Sequence, residues 1–249
     1  MTRLRRLAAT SIAAVAGFLM LGTGSALAVP GLCAPTDFFR DGHFLTAALI
    51  NPPDAAVPQN HDATGCEIGI YYTGNVTGTL HNRHVFGANY YGILVRGPGA
   101  SVTFTQGSVF DIEDNPTFNG SQHGVGFGVV EGGTLTVEQS QIHDYQKNGF
   151  VADGTGSTLN VRDSVVRGKG PTPLIAQNGI QFSRGADGSA IENFIEGHAY
   201  TGCSKQDARD TGCSYVVSTG ILLFDVDPSA INNHLNTFRD NDVNVLNAQ

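Results

Sequence analysis

Apolar and polar residues alternate through most of the chain beyond residue 66, in short runs such as "SVTFT", "TLTVE" and "TLNVR". A period of two places alternate side chains on one face of a strand. Glycine-rich stretches, "GPGA", "EGGT" and "GTGS", lie between paired runs, which reads as strand, tight turn, strand. Helical periodicity is absent throughout, and the long runs of Ala, Leu, Glu and Lys that favour helices are missing beyond the leader, so no helix is expected.

The pattern repeats. Gly69, Gly92, Gly124, Gly149, Gly179 and Gly220 open strands in similar contexts. Each is followed by two apolar residues five apart: Leu80/Val85, Phe104/Val109, Val137/Ile142, Val161/Val166, Ala190/Ile195 and Ala230/Leu235. These pairs are expected to point inward. Asn148 and Asn178, just before their glycines, share a slot with Thr219 and His123, which predicts a ladder of stacked polar side chains. A unit of this size cannot bury its own apolar face, but stacking on an equivalent unit makes a continuous core. Coils of about 22 to 25 residues fit a parallel β-helix.

The stretches "IHDYQKNGFVADGTGSTLNVRDSVVRGKGPTPLIAQNGIQF" and "STGILLFDVDPSAINNHLNTFRDNDV" resemble the secreted right-handed parallel β-helix repeat proteins of bacteria, in the pectate-lyase-like superfamily. The resemblance covers residues 66–249 and implies an all-β, single-stranded solenoid of about six to seven coils. Residues 29–65 lack the repeat and read as an N-terminal cap. The chain stops soon after "NDVNVLNAQ" without an evident C-terminal cap, so an exposed strand edge and end-to-end self-association are expected.

Compartment follows from the first residues and the cysteines. Arg3, Arg5 and Arg6 precede an apolar run and then Ala26-Leu27-Ala28, the layout of a signal peptide over residues 1–28. No later run is long and apolar enough to span a bilayer. The expected location is secreted, or extracellular. Cys33, Cys66, Cys203 and Cys213 are even in number and, in an oxidising compartment, form disulfides. Cys203 with Cys213 and Cys33 with Cys66 is one of three possible pairings. The formal charge of -8 becomes more negative once a leader with three arginines and no acid is removed. An acidic surface argues against nucleic acid, which is bound through phosphate neutralisation. An anionic polymer then needs calcium or a local basic patch.

Candidate chemistry sits in the departures from periodicity. Extra residues follow Val109, Val166 and Ile195, always between the second apolar position and the next glycine, so stacking brings them to one corner. Insertions gathered on one face of a solenoid often build its binding face. This corner is expected to present Phe118, His123, His143, Asp144, Tyr145, Lys147, His198 and Tyr200 to a polysaccharide or cell-wall glycan. The family resemblance implies a second reading, a polysaccharide lyase, with Arg167 or Lys169 as base and Asp111, Glu113 and Asp114 as calcium ligands. Those two groups stand two coils apart, and at about 4.8 Å per coil that is a substrate-sized separation rather than a hydrogen bond. A third reading is a non-catalytic surface or assembly protein. Asp225 and Asp227 in "FDVDP" read as turn acids, and His81 and His84 in "LHNRH" as surface histidines without a third metal ligand.

Overall fold

The computed structural model describes residues 32–113 and 118–249, so the expected leader 1–28 and Asp114 lie outside the described residues. The chain winds as a parallel β-helix with three sheets. Each full coil contributes one strand to each sheet in a fixed order. The first coil is Ile68–Thr73, Thr77–His81 and His84–Phe86, and the second is Tyr91–Arg96, Ser101–Thr105 and Ser108–Phe110. The third is Val125–Val130, Thr134–Glu138 and Gln141–His143, and the fourth Asn148–Asp153, Thr158–Arg162 and Val165–Thr172. The fifth is Asn178–Ser183, Asp187–Ile191 and Phe194–Tyr200, and the sixth Thr219–Phe224, Ile231–His234 and Thr237–Arg239. Val243–Ala248 adds a last strand to the first sheet.

Parallel register extends upstream of residue 66. His43–Ile50 pairs with Ile68–Thr73 in the first sheet, and Asn60–Asp62 pairs with His84–Phe86 in the third. Ala34–Arg40 returns antiparallel on His43–Ile50 through the turn residues Asp41 and Gly42, both at positive φ, as a two-residue hairpin turn demands. Disulfides join Cys33 to Cys66 and Cys203 to Cys213.

Five of the six expected inward pairs, Leu80/Val85 through Ala190/Ile195, are fully buried in one core. The sixth is corrected. Register places Asn233 under Ala190 and Phe238 under Ile195, while Leu235 is the turn residue at φ 57° and is 69% exposed. It takes the place of Asn82, Gln106, Gln139, Asp163 and Glu192 in earlier coils, all at positive φ. The expected polar ladder forms through Asn148, Asn178 and Thr219: the Asn178 amide donates to Asn148 Oδ1 at 3.2 Å and Thr219 donates to Asn178 Oδ1 at 2.8 Å. His123 is not part of it, because Val125 is the residue in register with Asn148.

The glycine column is set by packing. A Cβ on Gly149 would lie 2.7 Å from the Gly179 carbonyl oxygen and 2.8 Å from Val166 Cγ1. The expected absence of helix is also corrected: Lys205–Thr211 is a helix inside the Cys203–Cys213 loop. Ser204 and Asp207 form a capping box and Gly212 closes the C-terminus in the left-handed region. Those end signals outweigh the missing apolar stripe of an exposed single turn pair.

Candidate functional site

The links from the third sheet to the next first-sheet strand are the long ones, and their residues meet at one corner of the solenoid. Lys169 Nζ lies 3.0 Å from Glu113 Oε2 and 3.4 Å from Asp144 Oδ1, and 5.5 Å from the centre of the Phe118 ring. His143 Nδ1 is 2.8 Å from Asp144 Oδ2. The two-coil gap between Lys169 and Glu113 is therefore closed, contrary to expectation, because the lysine stem reaches across it past Asp144 of the intervening coil, with which it also pairs. Burial opposes the charges here, but Glu113 and Asp144 hold the Lys169 ammonium above its ordinary pKa, and His143 and Lys169 hold the Asp144 carboxyl below its own.

That electrostatic state bears on the expected roles. A lysine kept protonated is a poor general base. Arg167 is no better placed, since Nε contacts Glu196 Oε1 at 2.6 Å and Glu196 also pairs with Arg239. Asp111 is an exposed turn residue at φ 54°. Among the described residues no cluster of three or more His, Cys, Asp or Glu side chains is arranged to hold a metal ion.

Two expected contact residues are inside. Tyr145 and His198 are both fully buried, with the phenol donating to His198 Nε2, so neither side chain reaches a polymer on the surface. Tyr200 lines a separate hollow with Lys205 and Tyr215. His123 and Lys147 instead line a concave site of about 220 Å³ on the outer face of the first sheet.

The rest of that site was missed from sequence. Its floor carries Asn148 and Gln181, which are hydrogen-bonded at 3.0 Å, and its rim carries Arg40, Tyr90, Asp153 and Arg184. The Tyr90 and His123 rings stack at 4.0 Å with 4° between planes. Arg184 is paired with Asp153. Lys147 Nζ donates to the Ala176 carbonyl at 2.9 Å, and burial pushes its pKa down. Three cations face one carboxylate, which reverses locally the overall charge of -8. The signals for these residues were faint: Arg40 precedes an Asp-Gly hairpin turn, and Arg184 is one more turn residue at positive φ.

No family model, curated protein or solved structure matches the chain. No helix among the described residues is long and apolar enough to cross a membrane.

Proposed function

We propose that this is an exported protein of the pectate-lyase-like kind that recognises an extracellular or cell-wall glycan in the groove on the first sheet. The observation that carries the reading is the Tyr90–His123 stack beside Arg40, Lys147 and Arg184 around a small polar hollow. Sugar recognition needs a flat aromatic surface for the ring's C–H face and convergent donors for hydroxyl or carboxylate oxygens. Asn148 and Gln181 supply amides, and the three cations supply the basic patch that an acidic chain otherwise lacks. The two disulfides suit an oxidising, extracellular compartment.

Affinity electrophoresis through gels of polygalacturonate, alginate, xylan and dextran tests the reading. Retardation by at least one polymer, weakened in Arg184→Ala, is the expected result. Unchanged mobility in all four removes the proposal.

One observation favours a second reading, cleavage by β-elimination. Lys147 is the groove lysine whose charge is opposed by burial, so it suits a proton-abstracting role better than Lys169. Unsaturated-uronate absorbance lost in Lys147→Met but kept in Lys169→Met is the outcome that supports it.

A further inference from the structure

The outer face of the first sheet changes character along the solenoid axis. Over the early coils it is apolar and covered: Phe38, Leu45, Ile68, Tyr71, Tyr91 and Leu94 belong to a second buried cluster, separate from the core. The cover is the hairpin 34–50. Phe38 packs edge-on against Tyr91 at 6.1 Å, Asp37 accepts from the Tyr71 phenol at 2.7 Å, and the Arg96 guanidinium lies 5.4 Å over the Phe38 ring. From the fourth coil onward the same face is mixed, with Gln181 set between Val151 and Leu222. Leu94 is followed in register by Gly128, Val151, Gln181 and Leu222, and Tyr91 by Val125 and then the buried Asn148, Asn178 and Thr219.

The groove lies at this change. Arg40, at the tip of the hairpin, closes its N-terminal end. The long-loop corner closes one side with Tyr90, His123 and Lys147, and the turn bearing Asp153 and Arg184 stands on the other. The remaining direction runs over Gln181 toward Leu222 and the later coils. A volume of about 220 Å³ is below the roughly 300 Å³ at which pockets begin to take drug-sized molecules, so the hollow seats a small unit.

We infer that the groove is a cul-de-sac for the terminal residue of a glycan, with the rest of the chain leaving over Gln181 toward the later coils. This rests on the glycan reading above and adds that the protein reads chain ends, not chain interiors. Arg40 acts as the end stop and donates to the oxygens of the terminal unit. The hairpin carrying it is tied to the first coil by Cys33–Cys66 and by Glu67, which pairs with His43 and accepts from the Thr46 amide at 2.7 Å.

The test is binding capacity against chain length for the polymer retained most strongly among polygalacturonate, alginate, xylan and dextran. Samples of equal mass, intact and partly hydrolysed, are titrated with the purified protein. End recognition predicts that halving the mean chain length doubles the sites per gram, and that borohydride reduction or enzymatic capping of one kind of end abolishes binding. It also predicts that Arg40→Ala, an exposed substitution outside the core, lowers affinity for the shortened chains. Capacity per gram that stays constant as chains shorten overturns the inference while leaving glycan binding intact. Failure of every sample, intact or hydrolysed, to bind overturns both.

Discussion

The phenol of Tyr145 donates a hydrogen bond to Nε2 of His198, 53 residues further along the chain, and both side chains are fully buried. The tautomer follows from the neighbours. Asn241 Nδ2 donates to the Ile195 carbonyl at 3.0 Å, so Oδ1 faces His198 and accepts from Nδ1 at 2.7 Å. Nδ1 therefore carries the proton and Nε2 is the acceptor. Burial pushes the His198 pKa down to about 4.

Acidification then destabilises the fold through this residue. The unfolded imidazole takes a proton near pH 6.5 and the folded one only near 4, so stability is lost as pH falls through that interval, by on the order of 3 kcal/mol. Chemical denaturation at steps between pH 7 and pH 4 should show a shallower decline in His198→Gln than in the parent. Equal slopes refute the assignment. Tyr145→Phe, which leaves Nε2 without its donor, is expected to cost about 1–3 kcal/mol at pH 7.

The hairpin that bounds the groove has its own pH window. The Glu67 hydrogen bond raises the His43 pKa, and although burial opposes its charge, His43 and Thr46 hold the Glu67 carboxyl low. The His43 contribution is present below its ordinary value of about 6.5 and fades as pH rises through the raised folded value. The Glu67 contribution is present above the ordinary carboxylate value and fades as pH falls through its lowered one. Exchange protection of the Thr46 amide, corrected for intrinsic rates, should peak between these limits, and His43→Ala should remove the decline on the alkaline side.

Cutting the Cys33–Cys66 link tests the same element covalently. With the cysteines 33 positions apart, chain entropy puts the loss at about 3–4 kcal/mol for Cys33→Ser/Cys66→Ser. Thermal melts should shift accordingly. Limited proteolysis should cut first between residues 34 and 50.

Two backbone positions predict opposite signs. Leu235 sits at φ 57° with its side chain in water, so Leu235→Asn should stabilise by about 1 kcal/mol, which in a chain of this size raises Tm by about 2–4 °C. Gly179→Ala should destabilise by about 1–3 kcal/mol, because the new Cβ meets the Gly220 carbonyl oxygen at 2.5 Å. A neutral Gly179→Ala would show that the coils are free to shift apart.

The corner cluster is a coupled unit. Lys169→Met leaves Glu113 without its cation, whereas Lys169→Met/Glu113→Gln removes that charge as well and leaves Asp144 to His143. A double-mutant cycle at pH 7 should return about 1 kcal/mol of coupling, the part-exposed setting keeping it modest. Zero coupling would mean that solvent screens the pair.

Alternation, the glycine column and the paired apolar positions determined the stacked parallel strands, because every coil faces the same two demands: side chains alternate, and a close backbone approach excludes Cβ. The repeat lost its hold in the last coil, where Leu235 looked inward by hydrophobicity and lies in a turn by register. Corner loops were legible as insertions, and tertiary structure alone decided which of their side chains face water. It drew Tyr145 and His198 into the core, joined Lys169 to both Glu113 and Asp144, and laid the hairpin bearing Arg40 beside Arg184 of a turn far along the chain. The physical reason is that a periodic pattern reports which way a residue points within its own coil, while a site is made by residues of different coils and a covering hairpin whose closeness depends on how many coils lie between them.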